Sequence, residues 1–180
     1  MSKTDMQFLL LQEVRWRGTG NKLIELDTGE KFEFHWSGYK RKREAGVCIL
    51  IRSDKDIRDY NDPRVMGINL KVHGFNLRVV NVYSPTDCDG TDEQKQKFYS
   101  DIYKASKTSQ NHQKLIIAGD FNATTGVAKH KSNFDGKKIV TDIDFNDNGM
   151  RLKQFCRTHA LNISSTFFKH RLLHRNTWQR

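Results

Sequence analysis

Little in this chain breaks it or crosslinks it. Two prolines in 180 residues supply no Pro-rich linker and mark no domain boundary. The three cysteines, Cys48, Cys88 and Cys156, have neither zinc-type nor disulfide-type spacing. Cys48 and Cys156 sit among apolar residues and read as small buried hydrophobes. No disulfide partner is expected, and the setting implied is reducing and intracellular, nuclear or cytoplasmic. Long apolar runs are missing as well. The longest, Phe8–Leu11 and Val47–Ile51, fall far short of the roughly 20 residues that cross a bilayer, so no membrane partner is expected. No charged-then-apolar signal sequence opens the chain.

Acid is also scarce, with 21 Asp and Glu against 31 Lys and Arg and a net charge of +10. The imbalance is local. Residues 151–180 contain no acid at all, and Lys40-Arg41-Lys42-Arg43 forms a second basic cluster. Clusters of this kind attract polyanions. Lys40, Arg41, Lys42, Arg43, Arg171 and Arg175 are therefore the candidate nucleic-acid contacts, with DNA as the expected partner.

The length suits one domain, 1–180, on a prior of about 100–200 residues per domain. Apolar runs at Met6–Gln12 and Val47–Ile51 predict buried central strands. Lys31–Trp36 alternates as a half-buried strand does. Ile68–Val72 and Phe75–Tyr83 flank His73-Gly74 and predict a hairpin. Leu115–Ala118 reads as another buried strand and Asn162–Phe167 as a further one. Thr91 with Gln94 forms a capping box, opening a helix with Phe98, Ile102 and Ala105 on one face. A second helix begins near Asn148, with Met150, Leu152, Phe155, Cys156 and His159 on its inner side. Strands interleaved with helices imply a layered α/β fold.

Three strand ends finish in residues suited to phosphate chemistry. Leu11-Gln12-Glu13 delivers a carboxylate, the kind of oxygen ligand that hard cations such as Mg²⁺ prefer. The strand ending Asn81-Val82-Tyr83-Ser84-Pro85 delivers a phenol that can donate to a phosphate oxygen, and Pro85 stops the ladder. Ala118-Gly119-Asp120-Phe121-Asn122 places an acid and an amide two residues apart, which an extended backbone would point the same way. That pair suits a water nucleophile and a phosphoryl oxygen. Each motif alone also fits an ordinary strand exit or an Asx-type turn.

In this order, Leu-Gln-Glu, Tyr-Ser-Pro and Gly-Asp-Phe-Asn resemble the successive strand-end motifs of the endonuclease/exonuclease/phosphatase superfamily. Gln12–Trp16 and Asn146–Leu152, with Ser165–Phe168 and Thr177-Trp178, resemble more narrowly the apurinic-type endonuclease domain of non-LTR retrotransposons. The resemblance implies a DNase I-like fold, a layered sandwich of two mixed β-sheets flanked by helices. It also implies a DNA endonuclease requiring Mg²⁺, with Mn²⁺ as a substitute. Glu13 matches the metal ligand, Tyr83 the tyrosine near the scissile phosphate, Asp120 the acid that prepares the water, and Asn122 the amide that holds the phosphate. The family's Asn before the Glu motif, its Asp in an Ile-Asp-Tyr-type motif and its closing Ser-Asp-His motif have no counterpart in residues 1–180, and Ser165 stands where Asn is usual. His170 and His174 read as ordinary tail residues. The expectation is a fold incomplete at both termini and impaired turnover. The alternative is an inactive retroelement-derived fragment that binds nucleic acid. A phosphatase acting on lipid or inositol phosphates is disfavoured by the two retroelement-like segments.

Overall fold

The computed structural model describes residues 7–52, 60–72, 74–107, 114–126, 129–132, 138–142 and 145–167. The chain divides into two compact units, Met1–Ala123 and Thr124–Arg180.

The first unit begins with four strands, β1 Phe8–Gln12, β2 Thr19–Glu25, β3 Lys31–Ser37 and β4 Val47–Arg52. They form one sheet in the order β1-β4-β3-β2, antiparallel throughout. Next come β5 Tyr60–Asp62, β6 Val65–Val72, β7 Phe75–Tyr83, α1 Asp92–Lys107 and β8 Lys114–Asp120. These strands form a second sheet, β5-β6-β7-β8, in which β8 runs parallel to β7. Parallel neighbours need a crossover connection, and α1 is part of it.

The expected α/β sandwich of two sheets is present. One sheet is mixed, and the other is antiparallel among the described residues. Strand alternation sets which side chains meet between them. Val47, Ile49 and Ile51 from β4 pack against Met66, Ile68, Leu70 and Val79 from β6 and β7. On its other face the second sheet receives α1, which packs on β6 and β7. There Arg78 is fully buried. Its Nε donates to the carbonyl of Ala105 at 2.8 Å and Nη1 donates to Asn69 Oδ1 at 3.2 Å. Buried guanidinium groups need such partners. Gly67 makes room for it, because a Cβ there would run into the guanidinium.

The α1 start follows its sequence signal. Gln94 N donates to Thr91 Oγ1 at 3.3 Å and Thr91 N donates to Gln94 Oε1 at 3.1 Å, the reciprocal box. Phe98, Ile102 and Ala105 are buried, as the spacing required.

Several expectations are corrected. β1 was read as a buried central strand and β8 as a buried one, yet among the described residues each lies at a sheet edge. Ile116 in β8 is 43% exposed as a result. Apolar composition alone does not separate an edge strand from a central one. β2 gave no apolar run, because as the opposite edge it buries little. Asp27-Thr28-Gly29 was its signal. Gly29 turns with φ 77° and its N–H bonds Leu26 O at 2.8 Å, closing the hairpin into β3.

The second unit holds β9 Lys129–Ser132 and β10 Lys138–Asp142, paired antiparallel, then α2 Asp147–Thr158 and a 3₁₀ turn at Ser164–Thr166. That turn replaces the strand expected at Asn162–Phe167. Ser164 and Thr166 suit a turn, and the backbone closes through Phe167 N to Ser164 O at 3.1 Å. α2 is capped by Asn146, whose Oδ1 accepts from Gly149 N and from Thr124 N, both at 2.8 Å. Asn148, Gly149 and Leu152 are buried, while Phe155, Cys156 and His159 are half-buried. Met150, expected inside, is 48% exposed, since it lies two residues from Leu152 and so on the far side of the helix. No helix among the described residues is long and apolar enough to cross a membrane.

Candidate active site

The first unit brings the three strand-end motifs to neighbouring places. Asn81, on the inner face of β7, is fully buried. Its Nδ2 donates to Leu11 O at 2.9 Å and to Cys48 O at 2.8 Å, and its Oδ1 accepts from Gln12 Nε2 at 2.7 Å. One amide from the second sheet thus ties the end of β1 and the start of β4 in the first. Two residues further on the same face comes Tyr83, and one residue past Gln12 comes Glu13.

Glu13 leaves β1 with φ 56°, in the left-handed region. Arg15 does the same at φ 55°. The turn is held by Val14 N to Gly46 O at 3.2 Å and Arg15 N to Ala45 O at 2.9 Å. Such conformations cost on the order of 1–3 kcal/mol for a side chain of this kind and concentrate at functional sites. The twist sends the carboxylate to the Tyr83 hydroxyl, which donates to Glu13 Oε1 at 2.6 Å. Arg15 Nη2 donates to Oε2 at 2.8 Å.

Those two bonds, Tyr83 first, hold the Glu13 carboxyl below its ordinary value. Burial, and then the Glu13 bond, push the Tyr83 hydroxyl up to about 12. The phenol therefore stays protonated and donating through the physiological range. A raised phenol value stabilises the fold fully below the unfolded value near 10, and this contribution is lost as pH rises through about 12. Tyr83→Phe removes the leading cause of the Glu13 depression, so in that variant the Glu13 carboxyl should titrate at higher pH, toward 4.5. Carboxyl-carbon NMR titration reads this directly. An unchanged Glu13 midpoint would show that the phenol does not govern it.

β8 delivers the other two residues. In the parallel pair Tyr83 stands opposite Asp120, so both lie on the same side of the sheet. The negative charge of Asp120 is among the influences that raise Tyr83. Gly119 makes the approach possible. It adopts φ 143°, and a Cβ there would collide with the backbone of Val82. The extended backbone expected after Asp120 does not continue. Asn122 has φ 46°, and its N–H bonds Asp120 Oδ1 at 2.9 Å, an Asx turn. Asn122 Nδ2 donates to Ser84 O at 3.0 Å, and Ser84 N to Asp120 O at 2.8 Å. Asp120 and Asn122 are thus fixed to the end of β7 by turn geometry, not by alternation.

A cleft of about 480 Å³ opens beside Glu13 and Tyr83. Arg15, Arg43 and Arg64 line it, with Glu44 and Asp89 as further acids. Arg64 was not legible as a site residue. Its Nη1 donates to Tyr83 O at 3.3 Å and its guanidinium lies 5.3 Å from the Tyr83 ring centroid. Asp120 and Asn122 are not in the cleft lining. Of the basic cluster, Arg43 reaches the cleft, while Lys40, Arg41 and Lys42 are exposed on the β3–β4 connection. Arg171 and Arg175 lie outside the described residues.

The donor set is oxygen-based, as a hard cation requires. Among the described residues no group of three or more His, Cys, Asp or Glu side chains stands together. Glu13 is the carboxylate that could hold a hard divalent cation here. A carboxylate has about four lone-pair sites, so Glu13 retains capacity on both oxygens beyond its bonds to Tyr83 and Arg15.

The description "Endonuclease/Exonuclease/phosphatase family" fits residues 1–157. The chain belongs to this family. It is similar to craniofacial development protein 2 of Bos taurus, 25% identical over 184 residues that cover 99% of this chain and 29% of that protein. It is also similar to craniofacial development protein 2 of Tragulus javanicus, 26% identical over 182 residues, 99% of this chain and 30% of that protein. The chain spans under a third of the length of these relatives. As a member of the family, the endonuclease/exonuclease/phosphatase chain carries Glu13, Tyr83 and Asp120 at the ends of three strands that its fold sets side by side.

Proposed function

We propose that the chain is a Mg²⁺-dependent phosphodiester hydrolase acting on DNA, an endonuclease of the kind carried by non-LTR retrotransposons. The observation that carries this reading is the contact between Tyr83 and Glu13, 70 residues apart in sequence, beside a strand partner that is Asp120. The family match runs past Ala123, which supports reading both units as parts of one such domain.

In this mechanism Asp120 accepts a proton from the attacking water as its oxygen bonds to phosphorus. Asn122 donates an N–H to a phosphate oxygen, and Tyr83, protonated up to about 12, steadies the carboxylate of Glu13. The P–O bond opposite the water breaks, and its oxygen leaves with a proton from solvent. Glu13 is the residue that would hold a Mg²⁺ ion, which would supply Lewis-acid polarisation of the phosphate. Arg43 and Arg64 contribute positive charge to the cleft.

A second reading, binding without turnover, is favoured by the charge of the chain, +10 overall, with Arg15, Arg43 and Arg64 lining the cleft. The experiment that separates them is conversion of supercoiled plasmid to open circles. Nicking that requires Mg²⁺, is restored by Mn²⁺ and is abolished by EDTA is the expected result. Plasmid retained on the protein but never nicked, with or without metal, overturns the hydrolase and leaves the binding module.

A further inference from the structure

Beside the cleft lies an aromatic patch that the hydrolase reading does not use. β3 places Phe34 and Trp36 on one face, away from the inter-sheet core. Trp16, in the loop after β1, rests on both. Its ring centroid is 4.9 Å from that of Phe34 and 5.1 Å from that of Trp36, the latter nearly perpendicular at 82°. Trp36 Nε1 donates to Arg17 O at 3.4 Å, holding the loop. Gly20 lets the neighbouring strand lie flat against the Trp36 ring, where a Cβ would intrude. The indole of Trp16 is held in place yet 46% exposed.

A separate cleft of about 370 Å³ opens over these rings. Its lining is Arg15, Trp16, Arg17, Trp36 and Arg43: three guanidinium groups, two indoles and no acid. Arg15 and Arg43 line the cleft beside Glu13 and Tyr83 as well, so the two clefts share a wall. Arg15 is engaged by Glu13 at 2.8 Å, which leaves Arg17 and Arg43 as the cations that characterise this second cleft.

We propose that Trp16 is a stacking platform for an unpaired nucleobase in the strand adjoining the scissile phosphate, with Arg17 and Arg43 on the flanking phosphates. The inference rests on the nucleic-acid reading of the catalytic site. Every base offers a π-face, so an exposed, rigid indole gathers bases of any sequence. Guanidinium groups pair with phosphates in bidentate fashion and also stack on bases. A duplex buries its base faces in the stack, so the platform favours single-stranded or locally opened nucleic acid over intact duplex.

The test uses a short fluorescent oligothymidylate and a duplex of equal length, without added metal so that nothing is cut. Adding unlabelled oligothymidylate should quench intrinsic tryptophan fluorescence. Trp16→Ala should weaken single-strand affinity about 10-fold and leave duplex affinity nearly unchanged. The single-strand salt slope should stay the same in Trp16→Ala, since stacking releases no counterions. In Arg17→Ala and Arg43→Ala it should become shallower by about 0.7 for each phosphate no longer neutralised. Trp16→Leu keeps an apolar side chain over Phe34 and Trp36 but has no π-face. It separates stacking from loop stability and should bind as weakly as the alanine variant. Single-strand binding by Trp16→Leu equal to the parent, or parallel losses on single strand and duplex, overturns the platform. Absence of binding to either nucleic acid by the parent chain overturns the catalytic reading itself, and the platform with it.

Discussion

Replacing Asp120 with Asn is expected to lower Mg²⁺-dependent plasmid nicking by about 10²–10⁴-fold, the usual worth of a positioned general base. The substitution changes one atom. An amide oxygen can still accept the Asn122 N–H that Asp120 Oδ1 now takes at 2.9 Å, so the turn after β8 should survive. Lost is the capacity to take a proton from water at the moment its oxygen attacks phosphorus. Plasmid affinity should change by less than about threefold, because a neutral side chain removes one repulsion and adds none. Supercoiled plasmid is a sensitive substrate for this comparison, since one cut anywhere relaxes the whole molecule. Equal nicking by Asp120→Asn and the parent would remove Asp120 from the chemistry.

Asn81→Leu should be the most damaging change outside the reacting groups. The side chains are similar in size, so the loss is one of hydrogen bonds and not of volume. Leu11 O, Cys48 O and Gln12 Nε2 would each lose a partner. Buried polar groups left unpaired cost about 1–3 kcal/mol each, and the β1 groups are only partly buried. A loss of about 2–4 kcal/mol in urea unfolding is expected. The same amide aligns β1 with β7, so the Glu13–Tyr83 bond should loosen and the Glu13 carboxyl should titrate closer to its ordinary value. Unfolding unchanged within about 0.5 kcal/mol would mean that water replaces the amide without cost.

The sequence made some of this legible and hid the rest for physical reasons. β4, the β6–β7 hairpin and α1 were readable because their signals are local: an apolar run, a Gly-marked reversal, a capping box. The positions of β1 and β8 were not, since edge or centre is decided by which strands pair and not by composition. Met150 was misassigned because an apolar residue near the stripe was taken as part of it, while the small Asn148 and Gly149 were the ones buried. Glu13, Tyr83, Asp120 and Asn122 were visible through motif order. How Asp120 and Asn122 come together was not, because alternation was assumed where an Asx turn operates. Arg64 and the Asn81–Gln12 bond left no mark in the sequence, being contacts between segments far apart in the chain. Trp16 was legible only as part of a motif, and its place against Phe34 and Trp36 required the fold.

The parallel register that sets Tyr83 opposite Asp120 also maps where the gene can change length. Residues 108–113 join the end of α1 to the start of β8. Loop-closure entropy grows slowly with length, so codons added between α1 and β8 should leave the pairing intact. A single codon added within 115–119 has the opposite effect. It shifts every later side chain of β8 to the other face of the sheet and turns the Asp120 carboxylate away from Tyr83. Reading frames of related genes should therefore vary in length between α1 and β8 and keep a fixed count within the strand that follows.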